Sequence, residues 1–132
     1  MEYSSQSEIL PISSDKLYAL LSDYQKFAEI IPSSFQGWSL TDDGFQFTLN
    51  GMLPCTLKIN ETIPYSQVSY LIESGKKLAA QMFFYIEPVD EGKSSIQIHI
   101  SADVPPFMGK IIQKTIEHAT ESAVQSIKKR LN

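Results

Sequence analysis

The 132-residue sequence has little of what several common functions require. It contains one cysteine, Cys55, and two histidines, His99 and His118. A single thiol forms no internal disulfide, and this set cannot assemble a structural zinc site, so no metal is expected. There is one arginine, Arg130, which leaves almost no material for bidentate recognition of phosphates or bases. Lysine and arginine total 11 against 15 acidic residues, a net charge of -4, which argues against a nucleic-acid partner. No unbroken apolar run exceeds a few residues, so no membrane span is expected. The opening MEYSSQSE has neither a basic start nor an apolar stretch and does not read as a secretory signal, so a reduced, cytoplasmic protein is expected. No phosphate-binding loop, nucleophile elbow or dinucleotide fingerprint occurs, and no cofactor is expected. The acidic pairs Asp42-Asp43 and Asp90-Glu91 lack calcium-loop spacing and read as solvated turns.

What is present is an ordinary globular composition, 42% apolar and 20% charged. No linker, repeat or low-complexity tract divides the chain, so residues 1–132 read as one domain. A chain of this length buries roughly two thirds of its surface and needs no staple.

Glu2 to Leu10 has extended character, and its serines suit a sheet edge. Pro11 ends it. Ser13 and Ser14 stand where a helix N-cap is wanted, Asp15 suits the first turn, and Leu17, Leu20 and Leu21 recur at helical spacing, so Ser14 to Ser22 is predicted helical. A second short helix is predicted from Tyr24 to Ile31, stopped by Pro32. From Gly37 the period changes to two. Six alternating runs follow, separated by turn signals at Asp42-Asp43-Gly44, Asn50-Gly51, Pro64-Tyr65-Ser66, Ser74 to Lys77 and Asp90 to Lys93. From about Pro106 to Leu131 an apolar stripe of Met108, Ile112, Ile116, Ala119, Ala123, Ile127 and Leu131 recurs at helical spacing. Lys128, Lys129 and Arg130 close that helix favourably for its dipole. Only the inner face of the strands is large enough to cover such a stripe.

The order strand, two short helices, six strands, long helix resembles the START-like superfamily, also called the SRPBCC or helix-grip fold. Polyketide cyclases, birch-pollen-allergen type proteins and coenzyme Q-binding proteins belong to it. The resemblance covers the whole chain and includes Leu21-Ser22-Asp23-Tyr24, Phe27 and Pro32, which match a Leu-x-Asp step followed by an aromatic and proline segment. It implies an α+β fold: a curved seven-stranded antiparallel sheet wrapped around the C-terminal helix in the order β-α-α-β-β-β-β-β-β-α. It also implies a cavity between sheet and helix, in which members of the superfamily bind lipids, sterols, polyketides, quinones or hormones.

Strand parity assigns Trp38, Leu40, Phe45, Phe47, Leu57, Ile59, Tyr70, Ile72, Ala80, Met82, Phe84, Ile98 and Ile100 to the inner face, a wall nearly without charge. Such a wall suits an apolar ligand, or is simply filled core. The candidate ligand-binding set is Phe45, Phe47, Leu57, Ile59, Glu61, Tyr70, Ile72, Ala80, Met82, Phe84, Ile98, Ile100, Met108 and Ile112. Glu61 and Tyr70 are its polar anchors, each balanced by a plainer role: Glu61 at the rim, Tyr70 as a core aromatic. Ser5 and Ser7 could add hydroxyls from the first strand. Phe107, Met108 and Ile111 stand either at an entrance or in ordinary packing. His99 has outward parity and His118 lies opposite the apolar stripe, so neither supports a general base. Cys55 has no base or cation nearby in sequence and reads as a small buried residue.

The leading expectation is therefore binding of a small hydrophobic molecule without catalysis. A polyketide cyclase or dehydrase is the alternative enzyme, for which the inner wall offers only Glu61 and Tyr70. A protein-interaction domain with a closed core is the third reading, and outward Phe83 and Tyr85 are its sign.

Overall fold

The computed structural model describes residues 2–27, 35–49, 53–75, 78–103 and 109–131. Within these ranges some side chains, including those of Ile111, Ile112, Ile116, Ala119 and Ala123, are not described. The elements are β1 (Glu2–Ser4), β2 (Glu8–Leu10), α1 (Ser14–Ser22), α2 (Tyr24–Phe27), β3 (Phe35–Leu40), β4 (Gly44–Leu49), β5 (Leu53–Ile63), β6 (Gln67–Ser74), β7 (Leu78–Asp90), β8 (Lys93–Asp103) and α3 (Gly109–Leu131). The eight strands form one antiparallel sheet in the order β1-β8-β7-β6-β5-β4-β3, with β2 also paired to β8. This is an α+β helix-grip arrangement. The expected second half of the second helix, the reversal at Asn50-Gly51, Lys76-Lys77 and the segment with Phe107 and Met108 lie outside the described residues.

The predicted first strand is two strands. Ser4 pairs with His99 and Glu8 with Ile96, so the three residues Ser5, Gln6 and Ser7 span the two positions Gln97 and Ile98. Ser5 closes this gap: its hydroxyl accepts the Ile98 amide at 2.9 Å, and its own amide donates to the Ile98 carbonyl at 2.8 Å. The Ser5 hydroxyl is thus spent on the strand rather than offered to a cavity, and Ser7 is exposed.

Two further irregularities overturn parity assignments. Between Ile59 and Thr62 the register with β6 shifts, so that Asn60 and Glu61 together oppose Ser69. The buried Ser69 hydroxyl accepts the Glu61 amide at 3.0 Å and donates to the Glu61 carbonyl at 3.1 Å, satisfying the backbone groups the bulge takes out of the ladder. Beyond it Thr62, not Ile63, is in register with inward Val68, and Ile63 is exposed. The expected inward Glu61 is corrected accordingly: it is exposed at the bulge. Between Gln36 and Ser39 the register with β4 also shifts. Gly37 lies in this bulge with φ +59°, a conformation glycine adopts without a Cβ penalty. Trp38 and Leu40, expected inside, are 43% and 50% exposed, because β3 is the outermost strand and has a neighbour on one side only.

α1 lays Leu17 and Leu21 on the sheet against β6, β7 and β8. Asp23 ends α1 and starts α2, its carboxylate accepting the Gln25 amide at 3.0 Å. The Tyr24 hydroxyl donates to the Asp42 carbonyl at 2.9 Å and ties α2 to the β3–β4 turn. α3 runs beside β1 and β2, where the Lys128 ammonium meets Glu8 at 2.8 Å.

Candidate functional site

The cross-strand register arranges the concave wall in rows. One row runs Leu40, Phe45, Leu57, Ile72, Ala80, Ala102. The next runs Ile59, Tyr70, Met82, Ile100, Tyr3. A third holds Val68, Phe84 and Ile98. The candidate residues Phe45, Phe47, Leu57, Ile59, Tyr70, Ile72, Ala80, Met82, Phe84, Ile98 and Ile100 are all buried or half-buried on this wall. Glu61 is exposed away from them, Met108 lies outside the described residues, and Ile112 is placed on α3 without a described side chain.

The two ends of the wall differ. Toward α1, the large side chains of Val68, Tyr70, Phe84, Ile96 and Ile98 have no exposure at all. Away from α1 the wall holds the smaller Cys55, Ala80 and Ala102, and slight exposure persists at Ala80 (8%), Met82 (6%) and Ile100 (6%). A cleft of about 490 Å³ lies at this edge of the sheet, but apart from Phe47 and Cys55 it is lined mainly by the outward-facing Gln46, Thr48, Thr56 and Glu73, so it belongs to the convex face rather than to the wall. A second cleft of about 740 Å³ lies between the Tyr3-to-Glu8 segment and α3, with Val124 at its apolar side and His118, Glu121 and Gln125 at its polar side.

Tyr70 is wholly buried, and its hydroxyl donates to the Leu21 carbonyl at the end of α1. Burial, and after it the charge of Asp23, pushes its phenol well above the ordinary value. Cys55 is a buried thiol pushed up by desolvation, with the Ser74 hydroxyl acting in the opposite direction, so thiolate chemistry is disfavoured.

Among the described residues the buried polar side chains are Ser69, Ser74, Ser94 and Thr120. Three of their hydroxyls reach carbonyls: Ser69 that of Glu61 at 3.1 Å, Ser74 that of Pro54 at 2.5 Å and Ser94 that of Ile12 at 2.7 Å. The Thr120 hydroxyl has no partner. A buried hydroxyl left so costs roughly 1–3 kcal/mol. Sequence reading passed Thr120 over, although it lies on the same stripe as Val124 and Ile127, which are also buried. A hydroxyl residue within an apolar helical stripe was the available signal.

The other polar group of note is on the convex face. The Ser4 hydroxyl lies 2.6 Å from His99 Nδ1, and the Glu2 carboxylate 3.5 Å from His99 Nε2. Glu2 is held below the ordinary carboxylate range, first by the Ser101 hydroxyl and then by His99. Phe83 and Tyr85 stack nearby at 5.9 Å with planes 2° apart. This string stands on an open strand edge, on the sheet face opposite the apolar wall. Among the described residues no group of three or more His, Cys, Asp and Glu side chains could hold a metal ion. No described helix is long and apolar enough to cross a membrane.

No family model and no curated protein matches the sequence. Solved structures do match by shape. A START superfamily protein from Mycobacterium smegmatis superposes with TM-score 0.76 at 13% identity, over 98% of this chain and 96% of that one. Norcoclaurine synthase from Thalictrum flavum, in complex with dopamine and hydroxybenzaldehyde, gives TM-score 0.73 at 15% identity, over 98% and 86%. The di-domain ARO/CYC BexL from the BE-7585A biosynthetic pathway gives TM-score 0.74 at 15% identity, covering 97% of this chain and 45% of that protein.

Proposed function

This chain has the START-like helix-grip fold, and on that premise we propose that it binds a small hydrophobic molecule between sheet and C-terminal helix, without catalysis. The observation that carries the reading is the concave wall itself. It is apolar and, among the described residues, holds no buried charge; away from α1 it includes the small side chains of Cys55, Ala80 and Ala102, and slight exposure persists at Ala80, Met82 and Ile100. A wall of this kind favours a ligand by removing apolar area from water and offers few groups for acid–base chemistry. The norcoclaurine synthase complex, with two small aromatic molecules, supports this as a use to which the fold lends itself. The site comprises Phe47, Ile72, Ala80, Met82, Ile100 and their neighbours on the wall.

Naphthalene, a fluorescent hydrocarbon, tests the reading. A dissociation constant of about 100 μM corresponds to roughly 5.5 kcal/mol, equivalent to burying about 220 Å² of apolar area. Wild type should bind at least this tightly, and Ala80→Phe should bind more weakly, because a ring at Ala80 fills the space opposite Ile72 and Ala102. No binding to wild type at that level, or undiminished binding to a stably folded Ala80→Phe protein, overturns the proposal.

A further inference from the structure

We infer that the unpaired Thr120 hydroxyl is the polar contact of this cavity, and that the ligand is a neutral apolar molecule carrying a hydroxyl or carbonyl oxygen. The inference rests on the ligand-binding reading above and narrows it to a chemical class.

Thr120 is 2% exposed, and its hydroxyl has no hydrogen-bond partner, whereas the hydroxyls of Ser69, Ser74 and Ser94 each reach a backbone carbonyl. A threonine within a helix ordinarily returns its hydroxyl to the carbonyl one turn back. This one does not, so a donor and an acceptor stand unused in an apolar interior.

Its position along α3 places it level with the middle of the wall, where Met82 and Ile100 keep slight exposure. Lys128 is fixed to Glu8, whose partner on β8 is Ile96. Thr120 precedes Lys128 by eight residues, about 12 Å along the helix. Ile100 follows Ile96 by four residues, roughly 13 Å along the strand. Thr120 is thus level with the row Tyr70, Met82, Ile100, Tyr3. The charges of Glu117 and Glu121, which flank Thr120 on α3, act on Tyr3 of that row, in agreement with this placement. Met82 and Ile100 are among the wall residues that keep slight exposure.

The surroundings set the ligand's charge. The wall has no buried cation among the described residues, and Lys128 on the sheet side of α3 is already paired with Glu8. A carboxylate in this space would lose hydration without gaining a counter-ion. A neutral oxygen loses far less and gains the Thr120 hydrogen bond.

The test uses one ring system with four substituents: naphthalene, 2-naphthol, 2-acetylnaphthalene and 2-naphthoate, titrated at pH 7 against wild type, Thr120→Val and Thr120→Ser. Wild type should bind 2-naphthol and 2-acetylnaphthalene more tightly than naphthalene, and 2-naphthoate at least about 10-fold more weakly than 2-naphthol. In Thr120→Val the affinity of each neutral oxygenated probe relative to naphthalene should fall roughly 2- to 12-fold, the equivalent of one hydrogen bond, and Thr120→Ser should restore it. Without ligand, Thr120→Val should melt no lower than wild type, since valine fills the same space and no bond is lost. An unchanged ratio, naphthoate binding equal to naphthol, or a lower melting temperature for Thr120→Val overturns the inference and leaves the ligand-binding reading standing. Failure of all four probes on wild type overturns both.

Discussion

The phenol of Tyr70 on β6 donates its hydrogen bond to the main-chain carbonyl of Leu21, the penultimate residue of α1, across a sequence separation of 49. Both residues are fully buried. Helix ends leave carbonyls without intrahelical partners, and water cannot reach this one. The tyrosine expected to anchor a ligand therefore fastens α1 to the sheet, and its ring forms part of the wall while its hydroxyl is engaged elsewhere.

Tyr70→Phe removes the donor and keeps the ring. The buried Leu21 carbonyl is left unsatisfied, at a cost of roughly 1–3 kcal/mol. Urea unfolding should show a lower midpoint at unchanged slope. A variant as stable as wild type would show that the bond contributes nothing.

The same residue gives a pH dependence. The folded-state phenol titrates above its ordinary value near 10, because burial and the Asp23 charge oppose ionisation. Below pH 10 the phenol is protonated in both states, and its contribution to stability is intact. Above pH 10 the unfolded chain releases this proton while the folded chain keeps it, so stability falls by up to about 1.4 kcal/mol per pH unit. Unfolding free energies measured at pH 8, 10 and 11 should decline above 10, with a shallower decline in Tyr70→Phe. Equal slopes for the two proteins would remove Tyr70 from the account.

Ser69 holds the bulge in β5 through both backbone groups of Glu61. Ser69→Ala deprives them of that partner in a buried setting and should cost roughly 1–3 kcal/mol. Hydrogen exchange at the Glu61 amide should accelerate in the variant; unchanged protection would mean that another group takes the serine's place.

α3 is seated by Val124 and Ile127, both buried, and by the Lys128–Glu8 pair. Ile127→Ala should destabilise by about 2–5 kcal/mol, the usual range for truncating a fully buried isoleucine. Lys128→Gln should cost less, within about 1 kcal/mol, because the ion pair is partly solvated. A larger loss for Lys128→Gln than for Ile127→Ala, measured by denaturant titration, would show that charge rather than packing seats the helix.

Local pattern alone determined most of the architecture. Alternation at period two placed β4, β6, β7 and β8, and on β8 each of Ile96, Ile98 and Ile100 is buried as alternation requires. Ser13, Ser14, Asp15 and the helical spacing of Leu17, Leu20 and Leu21 delimited α1 as Ser14–Ser22. These features are legible because side-chain direction follows from backbone geometry within a few residues. The tertiary structure decided the bulges at Ser5 to Ser7, Gln36 to Ser39 and Ile59 to Thr62, the outward positions of Glu61 and Ile63, and the exposure of Trp38 on the outermost strand. A bulge is a mismatch between two strands, and one strand's alternation carries no record of its partner's length. The fates of Tyr70 and Thr120 were settled the same way. Tyr70 meets the end of a helix 49 residues earlier, and the Thr120 hydroxyl meets no hydrogen-bond partner. Whether a buried hydroxyl is satisfied depends on which atoms folding brings within 3 Å or so of it, and those atoms come from distant parts of the chain.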